Sequence, residues 1–136
     1  MNANAVFSKF SRDYMALKKD LPIRPSEMGV VNIITKRGGD FTPIGIAALL
    51  GVSKPMIAAH LSSLEKGGYI YKEGSQTDKR SFFVRPTEKA KALADEFEAK
   101  QTKYLKTLEG KLGEERFTAL VCLLEETQNM MEEMKG

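Results

Sequence analysis

Tryptophan is absent from the 136 residues, and cysteine and histidine occur once each. One cysteine excludes an intramolecular disulfide framework and fits a reducing compartment. One Cys and one His cannot build a zinc site by themselves, so no metal and no cofactor are expected. No apolar run approaches the roughly 20 residues that span a bilayer. The N-terminus lacks a basic stretch followed by an apolar core, so no secretory address and no membrane partner are expected, and a cytoplasmic location is. A phosphate-cradling glycine loop and a Ser/His/Asp set are also missing, so nothing supports an enzyme.

What is present is the material of one helix-rich domain. Hydrophobic residues make up 42% of the chain, which is enough for a core, and charged residues make up 29%. The net charge of +3 is unevenly spread. From Lys36 to Lys91 there are ten Lys and Arg against five acids, and from Ala92 onward six against ten. A basic middle beside an acidic tail predicts that the middle meets phosphate.

Apolar spacing divides the chain into segments. Asn2 to Lys19 sets Val6, Phe7, Phe10, Tyr14 and Leu17 on one helical stripe. Pro25 and Ser26 open a second helix with Met28, Val31 and Ile34 inward, and Arg37-Gly38-Gly39-Asp40 ends it, with Gly38 as the expected stop. Thr42-Pro43 starts a third helix, because Thr caps and Pro at the first position gives up a donor that has no partner there. Gly51-Val52 is a tight turn, and Ser53 caps a fourth helix with Ile57, Leu61 and Leu64 as core. Two helices joined this way make a helix-turn-helix.

Two alternating segments follow, Tyr69 to Lys72 and Ser81 to Arg85, joined by a polar turn that carries Asp78-Lys79-Arg80. A hairpin directly after a candidate recognition helix is a wing. Two cations at its tip suit the narrow, electronegative minor groove, and Asp78 is placed to orient the Arg80 guanidinium. Thr87 then starts a long helix with Ala90, Ala94, Phe97, Gln101, Tyr104 and Leu108 in register. A break is expected over Gly110 to Gly113. The last helix runs from about Glu114 to Met134, with Phe117, Leu120, Val121, Leu124 and Met131 on one face. Cys122 reads as a buried structural thiol, since no cation adjoins it in sequence.

The expected fold is mainly α: a winged helix-turn-helix with a short β-hairpin wing over residues 22–86, within a single domain of residues 1–136. Residues 1–21 and 87–136 are read as dimerisation helices, because their apolar stripes exceed what a small winged module covers.

The run Asp78-x-Arg80-Ser81-x-x-Val84-x-Pro86-Thr87-x-x-Ala90 resembles the wing signature of the multiple antibiotic resistance regulator (MarR) family. Phe41-Thr42-x-x-x-x-Ala47-x-x-Leu50-Gly51-Val52-Ser53-Lys54-Pro55, followed by Leu61-x-x-Leu64-Glu65-x-x-Gly68-Tyr69-Ile70, is similar to that family's helix-turn-helix. The resemblance implies a homodimeric repressor of transcription on a pseudo-palindromic double-stranded DNA operator. Its recognition helices would lie in major grooves, its wings in flanking minor grooves, and a small molecule or an oxidant would relieve repression. Ala90 departs from the Gly often found there, and Ala58 and Ala59 depart from polar or basic residues.

The candidate DNA-binding residues are Thr42, Ser53, Lys54, Pro55, Met56, Ala59, Ser62 and Ser63 with Lys79 and Arg80 of the wing, oriented by Asp78. Ser53 and nearby amides can hold a phosphate at the helix N-terminus. Lys54 can reach phosphate or guanine, and Met56 and Ala59 suit thymine methyl groups. His60 reads as a packing residue. With no Arg in this helix, specificity leans on shape readout through the wing. Phe10, Tyr14 and Tyr104 are candidate lining of an effector pocket, and core packing accounts for them as well. The competing reading is a winged-helix protein-interaction module without specific DNA binding.

Overall fold

The computed structural model describes residues 1–74 and 81–135. The elements are α1 (Ala3–Met15) with a short 3₁₀ turn at Ala16–Lys18, α2 (Pro25–Lys36), α3 (Pro43–Leu50), α4 (Lys54–Lys66), β1 (Ile70–Gly74), β2 (Phe82–Pro86), α5 (Glu88–Leu112) and α6 (Glu114–Lys135). They fall into two compact units, Met1–Phe97 and Glu98–Gly136. No single helix among the described residues is long and apolar enough to cross a membrane.

In the first unit, local chemistry sets the helix ends. Thr42 Oγ1 accepts the Gly45 N–H at 3.1 Å, and Pro43 occupies the first turn of α3. Gly51 ends α3 in the left-handed region at φ +68°, and the Val52 N–H closes back on the Ala47 carbonyl at 3.0 Å. Ser53 Oγ accepts the Met56 N–H at 3.3 Å and starts α4. At the start of α2 the Glu27 carboxylate accepts the Arg24 N–H at 2.9 Å.

The core of this unit takes Met28, Val30, Val31 and Ile34 from α2, Ile46 and Ala47 from α3, and Ile57, Leu61 and Leu64 from α4. Ile70 and Val84 join it from the hairpin, and Ala90, Leu93, Ala94 and Phe97 from α5. Ala90 is fully buried, so the departure from Gly places a methyl in the core rather than on the surface.

The hairpin is antiparallel, with Ile70 opposite Pro86, Lys72 opposite Val84 and Gly74 opposite Phe82. Both strands begin one residue later than the alternation predicts. Tyr69 is withheld from the ladder because its N–H bonds the Leu64 carbonyl at 2.9 Å and its carbonyl accepts the Thr87 N–H at 3.0 Å. A third segment touches the sheet through one bond, Val84 N–H to Phe41 O at 2.8 Å.

The start of α5 is tied to the end of α4. Thr87 Oγ1 donates to Gly68 O at 2.7 Å and accepts the Ala90 N–H at 3.3 Å. Lys89 Nζ donates to Gly67 O at 2.7 Å and stands 4.6 Å from the centre of the Tyr69 ring.

Three expectations need correction. Helix α2 stops at Lys36 with Arg37 extended, and the positive φ falls at Gly39 rather than Gly38. Helix α5 passes through Gly110 to Leu112. The break is Gly113 alone, at φ +94°, because one left-handed residue suffices to turn the chain. Cys122 is exposed, not buried, because α6 buries none of its residues in this chain. The first helix likewise buries none, so Val6, Phe7 and Phe10 remain exposed.

Candidate nucleic-acid interface

Helix α4 is two-faced. Ile57, His60, Leu61 and Leu64 turn inward, while Lys54, Pro55, Met56, Ala58, Ala59, Ser62 and Ser63 are exposed. This places the sequence-derived set Lys54, Pro55, Met56, Ala59, Ser62 and Ser63 along one outward surface. Met56 is 48% exposed and Ile44, in the first turn of α3, 66%. Ile44 is an apolar neighbour that the sequence reading passed over.

His60 is buried, and among the described residues its Nε2 has no hydrogen-bond partner. It packs inward, as its spacing with Ile57 and Leu64 predicts.

The start of α4 is largely committed to its own structure. Ser53 Oγ takes the Met56 N–H, the Ile57 N–H bonds Ser53 O at 3.0 Å, and Pro55 has no N–H. A phosphate at this helix end would therefore be met chiefly by Lys54, through its amide and its ammonium. Thr42 is half-buried, with its hydroxyl engaged as the cap of α3.

Beside α4 lies a pocket of about 390 Å³. It is lined by Pro43 and Ile44 of α3, Lys54, Ile57, Ala58, Leu61 and Ser62 of α4, and Lys72 and Phe82 of the hairpin. The lining is mostly apolar with two lysines. Lys72 Nζ stands 4.8 Å from the centre of the Phe82 ring and 3.8 Å from Glu65 Oε1. Lys72 escaped the sequence reading because only the strand pairing brings it alongside α4.

The wing root is held by Arg85. Its Nη2 meets Asp40 Oδ1 at 2.7 Å, its Nε meets Glu73 Oε2 at 2.9 Å, and its guanidinium lies 5.2 Å from the centre of the Phe83 ring. The hydrogen bond to Glu73, then that to Asp40, raises the Arg85 pKa above its ordinary value.

Asp78, Lys79 and Arg80 lie outside the described residues. The strands that lead to and from them, ending at Gly74 and resuming at Phe82, are in place.

Phe10 and Tyr14 stack on each other, with centroids 6.2 Å apart and planes 9° from parallel. Tyr104 belongs to the second unit and is exposed. None of the three lines the pocket beside α4. Among the described residues, no group of three or more His, Cys, Asp or Glu is placed to hold a metal ion.

A helix-turn-helix followed by an antiparallel hairpin and backed by a helical core defines a winged helix-turn-helix protein. Within that class, residues 21–81 match the model of the MarR family. No curated protein matches the sequence. Solved structures share the fold over nearly the whole chain. FabT of Streptococcus pneumoniae, in complex with DNA, aligns at a TM-score of 0.80 with 19% identity, covering 96% of this chain and 93% of its own. The transcriptional regulator Tm0710 of Thermotoga maritima aligns at 0.66 with 21% identity, covering 96% and 94%. NadR, in complex with 4-hydroxyphenylacetate, aligns at 0.68 with 19% identity, covering 93% and 90%. At these identities the likeness shows the fold.

Proposed function

We propose that this protein is a sequence-specific double-stranded DNA-binding transcription regulator. It acts as a homodimeric repressor relieved by a small ligand, without a catalytic step, in the cytoplasm. The observation that carries this reading is the outward face of α4, exposed from Lys54 to Ser63 inside the segment that matches the MarR model, and set beside the hairpin that follows it. The related fold of FabT was solved with DNA, which supports the same use here.

In this reading α4 enters the major groove. Lys54 meets phosphate or guanine, Met56 and Ala59 meet thymine methyls, and Pro55, Ser62, Ser63, Ser53 and Thr42 complete the contact surface. Lys79 and Arg80, with Asp78 as orienter, take the minor groove.

Dimerisation is supported by α1 and α6, which bury none of their residues although they carry Phe7, Phe10, Leu120, Val121 and Leu124. An apolar surface of this kind is covered most simply by a second copy. The effector role is supported by the stacked Phe10 and Tyr14 of the first unit, by the exposed Tyr104 of the second taken by itself, and by the apolar pocket carrying Lys54 and Lys72, which suits a small anion with an apolar body. The fold-related NadR holds such a molecule, 4-hydroxyphenylacetate.

The test is selection of duplexes from a random-sequence pool, followed by titration at several salt concentrations. The expected result is an enriched two-half-site sequence with affinity that falls steeply with salt. Absence of any enriched sequence, with binding indifferent to salt, leaves a protein-interaction module and overturns the reading.

A further inference from the structure

Arg85 stands outside every residue assigned to DNA above, yet it joins three separate pieces of the winged module. Asp40 lies in the connection before α3, two residues ahead of the Thr42 cap. Glu73 is on β1, diagonally across the ladder from Arg85, whose direct partner is Tyr71. Arg85 itself is on β2 and stacks near Phe83.

A two-stranded hairpin is marginal by itself, so its angle to the body is set by contacts at its root. Bonds of Tyr69, Thr87 and Lys89 close the base on the α4 side, and on the other side Val84 N–H to Phe41 O is the backbone tie to the connection before α3. A guanidinium is a rigid plane, and here two of its different nitrogens hold two carboxylates at 2.7 and 2.9 Å. The Glu73 bond holds the guanidinium plane on the hairpin, and the Asp40 bond then ties that held plane to the connection before α3, so direction as well as distance is passed to the body.

We propose that Arg85 is a positioning residue for the wing: by clamping Asp40 and Glu73 it sets the direction in which the hairpin leaves the helix-turn-helix, and so how the wing discriminates DNA. The inference rests on the DNA-binding reading above. It also has a sign that electrostatics alone does not share. Two carboxylates beside a DNA-binding hairpin repel phosphate, so removing either one tightens binding if only charge matters. If the clamp matters, removing either one loosens the wing.

The probe is a duplex selected by the parent protein from a random pool, made with A·T or with G·C flanks. Arg85→Ala is expected to lose about fivefold or more of the parent's preference between flanks, with core binding retained. Arg85→Lys restores the charge but not the fork, and is expected to recover less than half of that preference. Asp40→Ala and Glu73→Ala are expected to lower it too, although each removes a negative charge. Hydrogen exchange at the amides of residues 70–74 and 82–85 should quicken in Arg85→Ala while α2 and α4 stay protected. These results together support the clamp. Unchanged exchange with unchanged flank preference, or equal tightening on both duplexes by Asp40→Ala and Glu73→Ala, overturns it. A parent that selects no duplex overturns the DNA reading and this inference with it. A parent that selects one while the variants keep its preference overturns this inference alone.

Discussion

On the proposed reading, Lys54 and Arg80 ask different things of DNA. Lys54 begins α4, exposed, at a helix end whose other donors are mostly spent on capping. Lys54→Ala is expected to weaken binding to a selected duplex. If Lys54 meets only phosphate, the loss is similar on all sequences and the slope of log affinity against log salt falls by about one. If it reads guanine, the loss is about 1–3 kcal/mol and confined to one base pair. Unchanged affinity removes Lys54 from the surface. Arg80 is argued from groove shape instead, since narrow A·T-rich minor grooves concentrate negative potential. Arg80→Ala is expected to abolish the preference for A·T flanks and most specific binding while leaving the circular dichroism spectrum intact. Asp78→Ala should cost less, because it frees the guanidinium without removing it. Equal binding of parent and Arg80→Ala to both flanks would return the wing to a structural role.

Elements were legible where their chemistry is local. Thr42, Ser53 and Gly51 set the ends of α3 and α4 through bonds within four or five residues, and the sequence shows each of them. The stability assigned to these ends is measurable. Ser53→Ala removes a cap and is expected to cost about 1 kcal/mol in urea unfolding. Gly51→Ala meets no neighbour within 4 Å, so its cost is the left-handed backbone itself, about 1–2 kcal/mol. A Gly51→Ala variant as stable as the parent would show that the turn relaxes to another conformation. What escaped the sequence depends on distant partners. The strands start late because Tyr69 bonds Leu64 and Thr87, the latter 18 positions away. The Arg85 clamp joins residues 45 positions apart, and no periodicity reports such a triad. Gly110 failed as a breaker because a glycine inside a helix costs only about 1 kcal/mol, which the rest of α5 supplies.

At the scale of the molecule, the apolar faces of α1 and α6 dominate. Their spacing was readable, but what covers them was not, and that is also why Cys122 is exposed. Val121→Asp or Leu124→Asp is expected to shift the assembly toward monomer, since a charge placed in an apolar contact is left unpaired. Equilibrium sedimentation at micromolar concentration checks this, and a monomeric mass for the parent would remove the dimer from the reading.

The bonds that join Gly67, Gly68 and Tyr69 to Thr87 and Lys89 have a consequence for how such a protein diversifies. They close the chain at the base of the hairpin, so the connection from β1 to β2 starts and ends on strands that are already held. Lengthening a loop closed in this way costs little, about 0.6 kcal/mol for each doubling. Insertions and substitutions there are therefore expected to be nearly neutral for folding, and on the proposed DNA-binding reading each one presents a different tip to DNA. On that reading the module is a fixed socket with an exchangeable probe, open to new operator flanks without passing through unfolded ancestors.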